Sequence, residues 1–241
     1  GNVFSVKVDT TPHDLTEGFL KCLEAAADVL NITLIDMLQK TSVIRYSTTY
    51  GTNTIIQRTG PTLGVLVTEG YQKSLYEESE KGSAYDWLLQ EKLVLGVPIE
   101  IENNGQISGV ISQEQLRPKL IDLLENGARG LVVGIKGSHL NNAAEVEIRN
   151  IVRNEFPRHF LGALPTLVSS EISQSRDDGL RMRTALLSAY IHHGLARHLY
   201  KAEEEIRRLG YTKPLLVVHA NGSVARVAKS VAAFTYNSGP A

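Results

Sequence analysis

The chain has 241 residues, 42% of them hydrophobic, enough for the core of one large domain or one and a half ordinary ones. Its 25 Lys and Arg balance 26 Asp and Glu, so no basic field draws it to nucleic acid or to an anionic membrane. A single cysteine, Cys22, excludes an internal disulfide and fits a reducing cytoplasm; the stripe Leu15, Phe19, Cys22, Ala26, Val29 assigns it to core packing. No apolar run reaches the roughly 18 residues of a membrane span, and the opening GNVFSVKVD has no signal-peptide core.

Val3–Asp9 alternates apolar and polar residues and predicts a half-buried strand, broken by Thr10-Thr11-Pro12. Asp14 caps an amphipathic helix to about Leu30, and a short helix over Ile35–Lys40 leads into a strand at Val43–Ser47. A short helix is expected over Asn53–Arg58, and Leu63–Thr68 reads as a buried strand. Gly70–Gln90 is polar and acidic, with Glu77, Glu78 and Glu80 on a solvated face. Val97–Ile101 and Gln106–Val110 flank ENNG, a hairpin signal. Ser112 and Gln115 form a capping-box pattern for a helix that Pro118 makes irregular and Gly127 ends. Strands at Leu131–Ile135 and Leu164–Ser169 enclose a helix over Ala143–Glu155. A long helix runs from Asp177 to about Leu209, a buried strand covers Pro214–His219, and Ser223–Ala233 reads as a helix. Alternating strands and helices make the chain α/β.

The densest chemistry is YSTTYGTNTIIQRTGP, Tyr46–Pro61, where four Thr, one Ser and one Asn crowd into nine residues after a strand. Hydroxyls and amides at a strand's carboxyl end suit ligand binding, with Thr48, Thr49, Thr52 and Asn53 as candidates. The same residues suit helix capping, with Thr52 or Asn53 as N-cap. His192, His193 and His198 lack the one-turn spacing of a zinc helix and read as ordinary helix histidines, so no metal site is expected. Asp177-Asp178 suits a helix N-terminus. Arg181 reads about equally as an anion contact or as a surface or helix-capping arginine. No G-x-S-x-G, Walker or G-x-G-x-x-G pattern occurs.

Taken in order, several stretches resemble the hydantoinase A/5-oxoprolinase family, which includes acetone and acetophenone carboxylase subunits. They are Lys7-Val8-Asp9-Thr10-Thr11-Pro12-His13-Asp14, Tyr46–Gly60, Thr68-Glu69-Gly70-Tyr71, the set Ser138, Asn141, Glu145, the set Arg181, Thr184, Ala189, Tyr190, then Asn221-Gly222 and Ser238–Ala241. The family's His-Gly at the loop start is Tyr46-Ser47 here, and Lys73, Ser188 and Ser223 stand where the family has Asp, Asn and Gly. The resemblance implies an actin-like, ribonuclease H-like α/β lobe with the start of a second lobe. Residues 1–168 correspond to the N-terminal region without its first strand and loop, and 169–241 to a truncated start of the next domain. Ser238 and Gly239 would open that lobe's nucleotide loop. For the full-length protein it implies ATP and Mg²⁺, and phosphorylation of an amide or enol oxygen before ring opening or carboxylation. No cofactor is expected in the isolated segment, which should be inactive. Implied partners are the remainder of the same subunit, a hydantoinase B-type subunit and a small cyclic amide or ketone; self-association is a further expectation. The alternative is a non-catalytic lobe that docks on a partner subunit.

Overall fold

The structure, a computed structural model, describes residues 2–11, 13–73, 86–157, 159 and 162–239. The acidic residues Glu77, Glu78 and Glu80 lie outside these, as do Pro240 and Ala241. The chain divides into two compact units, Gly1–Gln57 with His192–Ala241, and Arg58–Ile191.

In the first unit, helix α1 (Leu15–Val29) starts at Asp14, whose carboxylate accepts from Thr16 N at 3.0 Å. Helix α2 (Leu34–Lys40) starts at Thr33, whose hydroxyl accepts from Asp36 N at 3.1 Å. Strand β1 (Ile44–Tyr46) is followed by α3 (Tyr50–Gln57), which begins three residues before the expected Asn53. Strand β8 (Leu215–Val218) returns parallel to β1, pairing Ile44 with Leu215 and Tyr46 with Val217. Strand β9 (Val224–Arg226) lies antiparallel on β8, so the sheet order is β1-β8-β9.

Three expectations for this unit are corrected. Val3–Asp9 forms no strand; alternation makes a strand only where a neighbour takes its backbone hydrogen bonds, and Val3, Phe4 and Val8 are exposed. Cys22 is half-buried rather than core, because α1 sinks Thr16 and Ala27 most deeply. Residues 223–233 are not a helix: the edge of β8 recruits Val224–Arg226 as β9 through the turn at Gly222 (φ +78°), and short 3₁₀ turns follow at Val227–Lys229 and Ala232–Thr235.

The second unit is built on a four-stranded parallel sheet of order β3-β2-β6-β7, comprising β2 (Leu63–Thr68), β3 (Val94–Val97), β6 (Gly130–Gly134) and β7 (Thr166–Val168). The central strands β2 and β6 are buried along their whole length, as unbroken apolar runs in a parallel sheet must be. The hairpin forms as β4 (Glu100–Ile101) and β5 (Ile107–Ser108), but Val97 belongs to β3, a sheet strand of its own. Helix α4 (Gln113–Glu125) carries the reciprocal Ser112–Gln115 capping box and ends at Gly127, whose φ of +97° only glycine adopts freely. Leu116, Leu120 and Leu123 of α4 and Ile148 and Val152 of α5 (Ala143–Glu155) pack with Leu66, Leu131 and Val133 into one core.

A one-turn helix, α6 (Ser169–Ile172), follows β7, and α7 (Asp178–Arg208) is one unbroken helix. Its part up to Ile191 belongs to the second unit, where Met182, Ala185, Leu186 and Tyr190 are buried. Its part from His192 belongs to the first, where Leu195, Leu199, Ala202 and Ile206 form a stripe.

Candidate functional site

A cavity of about 320 Å³ lies in the first unit. Its walls are Val8–Thr11, Leu15 and Gly18 at the start of α1, Tyr46–Thr49 at the carboxyl end of β1, and Gly239. Thr11 staples the first wall: its hydroxyl donates to Asp14 O at 2.6 Å and accepts from Gly18 N at 2.8 Å. A Cβ on Gly18 would stand 2.8 Å from that hydroxyl, so residue 18 must be small for the loop to close on the helix.

The second wall is the hydroxyl-rich stretch singled out above. Thr48 is nearly buried and accepts from Tyr50 N at 3.1 Å, capping α3 from within the cavity wall. Thr48 thus bonds to the first turn of α3 and lines the cavity, whereas Thr52 and Asn53 sit inside α3 and are not among its described lining residues. Asn53 is exposed, and its backbone N–H donates to Thr49 O at 2.9 Å. Ser238 is fully buried with its hydroxyl 3.3 Å from Ser47 Oγ, and this contact brings Gly239 to the cavity.

Beneath the cavity sits a polar cluster that spacing alone did not reveal. Tyr46 Oη lies 3.0 Å from His198 Nε2, and His198 Nδ1 lies 3.4 Å from Thr16 Oγ1. The Tyr50 ring stacks on the imidazole, 9° from parallel with centroids 5.8 Å apart. Burial lowers the His198 pKa, so the neutral ring prevails at physiological pH; Asp14 opposes this shift and Lys201 adds to it. Burial likewise raises the Tyr46 phenol, against a hydrogen bond from Thr48. Tyr46 and His198 are 152 residues apart, and only the fold joins them.

Arg181 lies in the second unit with its guanidinium turned inward. Nε donates to Ser138 Oγ at 3.1 Å and Ser169 Oγ at 3.3 Å, Nη1 donates to Ser175 O at 2.8 Å, and Nη2 pairs with Asp178. Arg181 is therefore buried rather than on the surface. Close by, the buried carboxylate of Glu145 accepts from Ile135 N, Ser169 Oγ, Ser170 N and Ser170 Oγ at 2.6–3.0 Å. Among the described residues, no three His, Cys, Asp or Glu side chains gather as metal ligands, and no helix is long and apolar enough to cross a membrane.

Residues 1–156 match the model of the hydantoinase/oxoprolinase N-terminal region. The chain belongs to this family. Over 97% of its length it is 31% identical to the acetophenone carboxylase gamma subunit of Aromatoleum aromaticum, covering 34% of that protein. All of the chain superposes on 36% of the ATP-dependent caprolactamase of Pseudomonas jessenii, with a TM-score of 0.86 and 23% identity. A nucleotide-free acetone carboxylase gives 0.83 and 22% over 97% of the chain and 35% of its own. These likenesses show a shared α/β fold with a parallel sheet. The chain spans about a third of the length of these family members.

Proposed function

We propose that the full-length protein is an ATP-dependent subunit that phosphorylates an amide or enol oxygen, preparing a small cyclic amide or ketone for ring opening or carboxylation. In this reading residues 1–168 belong to an actin-like N-terminal lobe, and residues 169–241 open the following domain around a nucleotide loop at Ser238 and Gly239. The observation that carries it is the cavity: five Ser and Thr residues (Thr10, Thr11, Ser47, Thr48, Thr49), one carboxylate (Asp9) and Gly239 on its walls.

This set fits a phosphate that arrives with Mg²⁺. Mg²⁺ takes few protein ligands, commonly one or two carboxylates with waters and phosphate oxygens. Asp9 would hold the ion, and the hydroxyls would meet phosphate or substrate oxygens. Gly239 has open space where a Cβ would stand, which leaves its backbone accessible to a ligand. ATP supplies the phosphoryl group that converts a poor leaving oxygen into a good one. The chain's part is to hold the oxygens in line and exclude bulk water, which is most of the catalysis such transfers need. A B-type subunit would supply the later steps, in keeping with the subunit nature of the acetophenone carboxylase relative.

Among the described residues no Lys or Arg lines the cavity, and this favours the second reading, a lobe that docks on a partner without catalysis. Substrate-dependent ATP consumption by the full-length protein, with hydantoin, 5-oxoproline, 2-pyrrolidinone and acetophenone as probes, separates the two. Catalysis predicts that Asp9→Asn lowers the rate by about 100-fold or more with an unchanged unfolding midpoint. Consumption that Asp9→Asn and Thr48→Val leave intact refutes this site, and none with any probe favours the docking lobe.

A further inference from the structure

We propose that His219 is a positioning residue that latches the Gly239 wall of the cavity, and that the latch holds only while its imidazole is neutral. His219 stands one residue past β8 and is buried. Its neighbours place its proton. Ser223 N must donate, and it donates to Asn221 Oδ1 at 3.0 Å, which fixes that end of the carboxamide as the oxygen. The Ser223 hydroxyl donates to the same oxygen at 2.7 Å. With its proton spent there, Ser223 Oγ can only accept from His219 Nδ1, 3.1 Å away. The ring is therefore the Nδ1–H tautomer, and Nε2 carries a lone pair. That nitrogen is buried and has no hydrogen-bond partner among the described residues.

The held segment runs from the 3₁₀ turn Ala232–Thr235 to Gly239. Phe234 meets the His219 ring edge-on, with centroids 5.9 Å apart and planes at 66°. Beside it, Ala220 N donates to Phe234 O at 2.7 Å. Thr235 O then accepts from Ser238 N at 3.2 Å, and Ser238 Oγ lies 3.3 Å from Ser47 Oγ, which brings Gly239 to the cavity. The segment is thus gripped at one end by the His219 turn and at the other by Ser47, all within the first unit.

A second proton on the ring would make an Nε2–H with nothing to accept it and place a charge against Phe234. Burial lowers the His219 pKa for this reason, and the groups that meet the ring, Ser223 and Phe234, bring no charge to offset it. Once the segment opens, water reaches Nε2 and the ring protonates near the ordinary histidine value of about 6.5. Protonation therefore favours the open form. The latch is complete above about pH 6.5 and weakens as pH falls from there toward the folded pKa. The consequence for a ligand rests on the cavity being the reacting site. The latch itself does not, so its test needs neither nucleotide nor substrate.

The test is NMR of the 241-residue chain, with the His219 ring assigned from its own backbone. Imidazole ¹⁵N shifts should show the Nδ1–H tautomer favoured by about tenfold, the worth of one ordinary buried hydrogen bond. Ser223→Ala should abolish that preference. Hydrogen exchange is read at Ala220 and Ser238, the amides that bond to Phe234 and Thr235. Corrected for the intrinsic pH dependence of exchange, their protection should fall by about three- to tenfold between about pH 7.5 and about pH 5.5, while Val217 inside β8 keeps its own. In His219→Asn the carboxamide still donates to Ser223 but does not titrate, so protection at both amides should stay constant within about twofold. If that variant fails to fold, Ser223→Ala and the wild-type titration decide. A wild-type Nε2–H tautomer, protection blind to pH across this window, or an equal fall in His219→Asn overturns the proposal. Each of these results leaves the ATP assay of the full-length protein free to succeed or fail independently.

Discussion

Replacing Glu145 by Gln probes the most heavily bonded side chain of the second unit. The carboxylate oxygens accept from two backbone amides, Ile135 N at 2.9 Å and Ser170 N at 3.0 Å, and from the hydroxyls of Ser169 and Ser170. A carboxamide keeps one accepting oxygen and turns its other end into a donor. The serine hydroxyls can rotate to accept, but a backbone N–H cannot, so either amide orientation leaves one amide facing another donor. A buried unsatisfied donor costs about 1–3 kcal/mol, and donor–donor crowding adds to it, so a loss of about 2–4 kcal/mol is expected. Against a typical total of about 5–15 kcal/mol, that is a large fraction. Urea unfolding should show a lower midpoint at unchanged slope, and hydrogen exchange should show faster opening at Ile135 or Ser170. A change below about 0.5 kcal/mol, with both amides still protected, would mean that water or backbone movement satisfies the site and that the bonding argument is wrong.

Asp14→Ala should cost about 1 kcal/mol by removing the α1 cap, read as a drop of about 2–4 °C in Tm. Because the Lys201 hydrogen bond holds the Asp14 pKa below its usual value, its contribution is complete above about pH 4 and fades as pH falls through the folded pKa, so variant and wild type should converge once acid has protonated the carboxylate. Gly194→Ala places a Cβ 2.0 Å from Tyr50 Oη; the ring must leave its stack on His198, so the near-ultraviolet tyrosine signal should change and stability should fall, despite about 1 kcal/mol of gained helix propensity. Calorimetry should find no micromolar ATP binding by the 241-residue chain alone, since among the described residues its cavity walls carry no Lys or Arg to meet the phosphates.

Much of the architecture was readable because its signals are local. Leu63–Thr68 is six apolar residues between turn signals and needs no partner to be recognised as buried. Ser112 and Gln115 announce a helix start by their own chemistry. The misreadings share the opposite cause. Val224–Arg226 sits in a stretch with helix-like spacing but takes up the free edge of β8, a fact about another strand. Val3–Asp9 has the alternation of a strand and no ladder among the described residues. The site divides the same way. The hydroxyls of Ser47–Thr49 stand out as composition, and the structure sets them on the cavity wall. His198 behind them carries no local mark, and only the departure at Tyr46 hinted that this wall is built differently here. Arg181 drew notice as a charge, yet its meaning depends on Ser138, Ser169, Ser175 and Asp178 closing around it.

The pairing of Ile44 with Leu215 has a consequence in time. A ribosome adding about 5–20 residues each second takes roughly 10–30 s to travel from one partner to the other. During that interval β1 has no β8 to receive its hydrogen bonds, while all of Arg58–Ile191 emerges as a contiguous stretch with its own sheet and core. Residues 58–191 should therefore fold before residues 1–57. Residues 1–57 must wait with an unpaired strand edge, so slow synthesis or a scarcity of chaperones should harm this segment before 58–191.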